Sequence, residues 1–178
     1  MSDNMALRPG RTMRRVTRPW TRISIRVPRK SYVKGVPGIK IHHFEMGNKN
    51  GNFDTRVYLI AKQAVQIRHN ALEAARVVAH KFLSKKLGEQ KFFMKILKYP
   101  HQVYREKPIA TGAGADRYSQ GMRLAFGKPA GRAVITEPGM ELVEVRVNKE
   151  NVEIAKQALK KFSSKIPTKT QIVVEFLS

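Results

Sequence analysis

The stretch Thr55–Gly88 reads TRVYLIAKQAVQIRHNALEAARVVAHKFLSKKLG, and two different periods meet inside it. Thr55 to Ala61 is rich in β-branched and aromatic residues, the composition of a strand. Then the period changes. Leu72, Ala75, Ala79 and Phe82 recur at helical spacing, with Val78 beside them, and form one apolar stripe. Asn70 followed three residues later by Glu73 has the form of a capping box, and Gly88 is placed to end the helix. Lys81, Lys85 and Lys86 crowd the last turns, where the helix dipole favours cations. A strand feeding an amphipathic helix that ends on glycine sets the theme of the chain.

Working outward, Ile39-Lys40-Ile41 predicts a strand upstream, separated from Thr55–Ala61 by a turn at Gly47 to Asn52. Downstream, Phe92 to Leu97 and Gln102 to Arg105 resume strand character around a Tyr99-Pro100 turn. Ala133 to Thr136 and Leu142 to Val147 follow, joined by Pro138-Gly139. Asn148 is placed to cap a second helix with the stripe Val152, Ala155, Leu159 and Phe162; Pro167 stops it, and Gln171 to Phe176 supplies a last strand. The expected fold is α+β, two amphipathic helices packed on a mostly antiparallel sheet. It would occupy residues 35–178 as a single domain, preceded by an arm over 1–34 and interrupted by an internal loop over 105–132. The Met and Phe residues on these faces are core, and no internal repeat is present.

Charge decides the partner class. The 178 residues hold 35 Lys and Arg against 13 Asp and Glu, a net charge of +22, with an apolar fraction of 42% that suffices for a core. So large an excess calls for a polyanion, nucleic acid or an anionic membrane surface. No stretch approaches the roughly 20 apolar residues that span a bilayer. The N-terminus lacks a secretory apolar region. Without cysteine there is no disulfide framework, thiolate metal site or cysteine nucleophile. Nucleic acid is the leading reading, in the cytoplasm.

The first 34 residues carry ten cations and one acid, Asp3. Arg8, Arg11, Arg14, Arg15, Arg18, Arg22, Arg26 and Arg29 are joined by Lys30 and Lys34, while Pro9, Pro19 and Pro28 interrupt any helix. Such a segment is expected to be extended. Guanidinium pairs bidentately with phosphate and stacks on bases, and Trp20 and Tyr32 add stacking surfaces. A mitochondrial presequence is also Arg-rich and acid-poor, but this arm runs into a body that is itself strongly basic.

The internal loop holds Arg105, Lys107, Arg117, Arg123, Lys128 and Arg132, interleaved with Gly112, Gly114, Gly121, Gly127 and Gly131. Tyr118, Met122 and Phe126 could stack on or wedge against RNA. Enzyme motifs fail here. Gly112-Ala113-Gly114 begins a dinucleotide fingerprint, but Arg117 stands where the third glycine belongs. Gly127-Lys128 is followed by Pro129, not the Ser or Thr of a P-loop. His42, His43, His69, His80 and His101 lack metal-ligand spacing, so neither a metal nor a catalytic residue is expected. Asp116 is best explained by a salt bridge to Arg117 or Arg123.

At this loop the sequence becomes recognisable. Gly114-Ala115-Asp116-Arg117, Gly121-Met122-Arg123 and Ala125-Phe126-Gly127-Lys128-Pro129 closely resemble the archaeal and eukaryotic branch, ten-e, of the universal large-subunit ribosomal protein sixteen family. Ala71-Leu72-Glu73-Ala74-Ala75-Arg76 is similar to that family's first helix, and Pro167-Thr168-Lys169-Thr170 to the run after its second helix in bacterial members. The resemblance spans about Arg8 to the C-terminus, and the lack of cysteine resembles the archaeal members. It implies an α/β sandwich among large-subunit ribosomal RNA helices, with neighbouring ribosomal proteins and transfer RNA as partners. It also implies no cofactor, no small-molecule substrate and no chemical step. Carried over by position, Ala110 to Phe126 would approach transfer RNA, through Gly112, Gly114, Asp116, Arg117, Gly121, Met122, Arg123 and Phe126. Two other classes stand beside a constitutive ribosomal protein: a free transfer-RNA-binding or assembly factor, and, against the failed motifs, a phosphate-handling enzyme.

Overall fold

The structure, a computed structural model, describes residues 8–12, 14–15, 26–30, 32–107, 109–110 and 112–177. Its elements run β1 (Glu45–Gly47), β2 (Thr55–Ala61), β3 (Val65–Arg68), α1 (His69–Leu87), β4 (Phe93–Ile96), β5 (Gln102–Glu106), β6 (Lys128–Thr136), β7 (Glu141–Val147), α2 (Val152–Ser163) and β8 (Thr170–Phe176). The α+β expectation holds, with two helices on antiparallel strands. The strands divide into two sheets rather than one: five in the order β1-β4-β7-β2-β8 and three in the order β3-β6-β5.

Alternation along β2 and β7 explains the larger sheet. Val57 lies opposite Val145 on one side and Val174 on the other, and Val145 in turn faces Met94. Leu59 repeats the pattern with Val143 and Ile172. These rows make one apolar face, and Val57, Leu59, Val143 and Val145 are wholly buried. α2 lies over β2, β7 and β8, burying Ala155, Ala158, Leu159 and Phe162. α1 packs along α2 and reaches the small sheet through β3 and β6, so one core runs beneath both sheets. The buried stripe of α1 is Leu72, Ala75, Ala79 and Leu83; Phe82 lies at its margin, under the Lys161 ammonium at 3.8 Å.

On the opposite face of the larger sheet, Glu144 is almost fully covered. It lies 2.5 Å from Arg146 and 3.6 Å from Arg56. A buried carboxylate between two guanidiniums keeps its charge compensated.

Several local expectations give way. Ile39–Ile41 is not a strand: Ile41 is apolar because it is buried in the core, and pairing starts at Glu45. β3 was not anticipated; it runs straight into α1 with no glycine or proline to mark the change. Because the helix therefore begins at His69, Asn70 lies inside it, and the Asn70–Glu73 capping box does not form. Asn70 Oδ1 accepts from the neighbouring Ala71 N–H, and Glu73 turns to Arg76 at 2.6 Å. Asn148 does not cap α2, because a 3-10 turn over Lys149–Asn151 intervenes. Gly88 does end α1, at φ 76°, donating its N–H to Ser84 O.

His69 supplies the anchor that the box would have given. Its Nδ1 accepts from the Lys40 N–H at 2.9 Å, tying the incoming chain to the start of α1. Burial, with Lys40, Arg132 and Arg68 nearby, lowers its pKa below the ordinary 6.5. The unfolded chain then binds the proton more readily than the folded one. This contribution to stability is complete above about pH 6.5 and is lost as pH falls toward the folded value. Between pH 7.5 and 5.5 the wild-type chain should lose more stability than His69→Asn, which keeps an acceptor but does not titrate. Parallel denaturation curves across that range would refute the anchor.

Candidate nucleic-acid interface

The described cations expected on the arm lie on the surface, but part of the arm is fastened to the fold. The outer edge of β3 would otherwise be open, and open edges recruit other strands. Here the Gln66 N–H donates to Arg14 O at 2.9 Å and its side-chain amide to Arg15 O at 2.6 Å. Arg68 donates to Arg8 O at 2.9 Å, and Arg14 reaches Gln63 Oε1 at 2.8 Å. The backbone at Arg8, Arg14 and Arg15 is thus held against β3 while the side chains of Arg8, Arg11, Arg14 and Arg15 remain exposed. Arg26, Arg29, Lys30 and Lys34 are exposed as well. Beside them Val33 is buried, so the segment next to the expected Lys34 boundary is packed into the protein. Arg18, Trp20 and Arg22 lie outside the described residues.

The internal loop was expected over 105–132, but both ends belong to strands: Arg105 to β5, and Lys128 through Arg132 to β6. β6 reaches that far because Gly131 lets the Tyr104 phenol lie where a side chain would stand. Pro129 is tolerated because β3 pairs only from Ala133 onward, leaving that side of β6 open. Gly127 sits against the Glu106 backbone, with only about 2.6 Å between a Cβ added there and the Glu106 carbonyl carbon. These two glycines serve close packing. Gly114, at φ 75°, serves conformation, opening a 3-10 turn over Ala115–Arg117.

The six loop cations separate into two groups. Arg105 donates to Gly127 O at 3.0 Å and covers the Phe126 ring at 4.4 Å. Lys107 donates to Arg123 O and Leu124 O, drawing the far limb of the loop to its near limb. Arg132 Nε holds Pro37 O at 2.9 Å. These three brace the fold. Arg117, Arg123 and Lys128 are exposed and make no side-chain hydrogen bond or ion pair among the described residues. The salt bridge expected from Asp116 is absent too; within the described residues its carboxylate pairs with no cation.

Four large apolar side chains of the same loop are more than half exposed: Tyr118 at 87% exposure, Met122 at 75%, Leu124 at 74% and Phe126 at 60%. Exposure this high rules out a core role, and their neighbours are cations. Leu124, at φ 56°, was not anticipated; nothing in the sequence marks a leucine that adopts a left-handed backbone. An open hollow of about 550 Å³ lies between the Tyr118 turn and the strand ends, with Asp116, Arg117 and Lys128 on its walls.

The ribosomal protein L16p/L10e family model matches residues 21–173. The chain belongs to that family. It is 50% identical to the large ribosomal subunit protein uL16 of Archaeoglobus fulgidus over 171 residues, 96% of this chain and 94% of the relative. With the protein of the same name from Sulfolobus acidocaldarius it shares 51% identity over 176 residues, 98% of this chain and 97% of the relative. The corresponding figures for Staphylothermus marinus are 50% identity over 169 residues, covering 95% and 94%. The ribosomal match spans both sheets and both helices as well as the loop, so family membership rests on the whole fold. No group of metal-ligating side chains occurs among the described residues, and none of their helices is long and apolar enough to cross a membrane.

Proposed function

We propose that this protein is a structural constituent of the large ribosomal subunit in the cytoplasm, bound to ribosomal RNA through its arm (1–34) and its internal loop. Neighbouring large-subunit proteins are its other stable partners, and the loop faces transfer RNA without taking part in any chemical step. The carrying observation is the sorting of the loop cations. Arg105 and Lys107 hold the loop and Arg132 ties β6 to Pro37, while Arg117, Arg123 and Lys128 project beside exposed Tyr118 and Met122. A braced loop presenting cations and a stackable ring suits crowded phosphates and unpaired bases. Relatives of about half identity, named as large-subunit proteins, support the same reading.

The test is sedimentation. One copy per large subunit should remain after a high-salt wash. Loss of the chain into the soluble fraction would instead indicate a transfer-RNA-binding or assembly factor that visits ribosomes.

RNA affinity of the isolated chain should depend steeply on salt. If roughly eight phosphates of irregular RNA are engaged, log K falls with log salt at a slope near about −6. Arg8, Arg11, Arg14 and Arg15 are exposed on a backbone already fixed to β3, so replacing all four by Ala should reduce that slope by about 3 with the fold intact. A titration series giving the wild-type slope would remove this part of the arm from the RNA interface.

A further inference from the structure

A second place on the surface has the chemistry of an RNA site and lies apart from the arm and from the three projecting loop cations. The chain leaves the five-stranded sheet at Ile96 and enters the three-stranded sheet at Gln102. At that crossing Tyr99 stacks on Phe44, with ring centroids 5.5 Å apart and planes 27° from parallel. His101 lies against Tyr99 with centroids 4.6 Å apart, and it is exposed. Arg132 Nη1 stands 3.5 Å from the Tyr99 hydroxyl. Three rings therefore stand in succession across the seam, with an exposed imidazole as the outermost.

Beside that ring is a hollow of about 380 Å³. Ile135 and Met140 contribute apolar surface to it, and Lys98 is the charged side chain among the residues around it. No carboxylate lines it. An aromatic group at the mouth, apolar walls and one cation complement a planar, weakly polar ring attached to an anion. That is a nucleobase with its phosphate. An acidic peptide would match Lys98 but not the apolar walls, and a simple apolar side chain would leave the cation unused.

We infer that this seam binds one unstacked base of an RNA strand, continuing the Phe44–Tyr99–His101 ring series, with the flanking phosphate at Lys98. The inference rests on the ribosomal-RNA reading above and adds a site to it. Base stacking on an aromatic ring is tolerant of sequence, so the geometry selects an unpaired nucleotide rather than a particular base.

Ultraviolet cross-linking of native large subunits, followed by nuclease and trypsin, tests it. Cleavage after Lys98 and Arg105 isolates a peptide containing Tyr99 and His101. That peptide should carry a nucleotide adduct, and before nuclease it should travel with ribosomal RNA. In subunits carrying His101→Ala, the chemical-probing reactivity of one ribosomal nucleotide should rise at least about fivefold, since stacking on an aromatic ring is worth at least that much. Adducts on arm and loop peptides but none on this one would overturn the seam site and leave the proposed function standing. No adduct on any peptide would count against both. An adduct that separates from ribosomal RNA would identify a free nucleotide, and a cross-link to another protein would identify a protein partner; each overturns the inference. Identical reactivities in wild-type and His101→Ala subunits would do the same.

Discussion

Leu159→Ala should lower the unfolding free energy by about 2–5 kcal/mol, the usual cost of emptying a buried leucine site. Leu159 is completely buried in α2, in the core that α2 forms over β2, β7 and β8. Its neighbours Ala155 and Phe162 are fully buried as well, and strand rows below them fix the floor of the site, so little can collapse into the space. A domain of this size has a total stability of about 5–15 kcal/mol, so the variant should be visibly compromised at physiological temperature. Urea unfolding of wild type and variant checks it, with a shifted midpoint and an unchanged slope as the expected signature. A midpoint shift near zero would mean that α2 does not cover the sheet.

The second large effect separates function from stability. Arg117→Ala together with Arg123→Ala should leave the melting temperature and incorporation into subunits nearly intact. Both side chains are exposed, and neither makes a hydrogen bond or ion pair among the described residues. Replacements of this kind usually change stability by within about 0.5 kcal/mol. Peptide synthesis should nevertheless slow by about tenfold, because losing charge-assisted donors to RNA removes about 1.5–3 kcal/mol per contact when the contact is fully made. The measurement is the rate of peptide formation on ribosomes shown to contain the double variant. Wild-type rates would leave the loop as inert packing. By contrast, Lys107→Ala should disorder the loop itself, since Lys107 joins its two limbs through the Arg123 and Leu124 carbonyls.

Where a segment is periodic and bounded by turn residues, its structure was legible from composition alone. Thr55–Ala61 matches β2 residue for residue, and the stripe Val152, Ala155, Leu159 and Phe162 lies on α2. What escaped was set by tertiary context. Val65–Arg68 is a strand because β6 pairs with it, and no local signal separates it from the helix that follows. Ile41 looks like strand because it is buried, whatever its backbone does. Both asparagine caps failed because each helix starts at a residue other than the one the pattern favoured. The site shows the same division. Its cations were visible as residue types. Which of them turn inward was not, because Arg105, Lys107 and Arg132 find carbonyls 22, 16 and 95 residues away.

The placement of β7 has a consequence for how the protein comes into being. β7 is the strand between β4 and β2, so these two, made much earlier, never touch each other in the larger sheet. On a chain emerging from its own ribosome, residues 55–61 and 93–96 must wait until Glu141–Val147 arrives to join them. Until then β2 and β4 each lack the partner on their β7 side, and unpaired strand edges of this kind are prone to aggregate. The intervening loop can lengthen with little thermodynamic effect, since each doubling adds only about 0.6 kcal/mol of closure entropy. What it does set is the delay, because every residue added before β7 postpones the moment when the sheet can close.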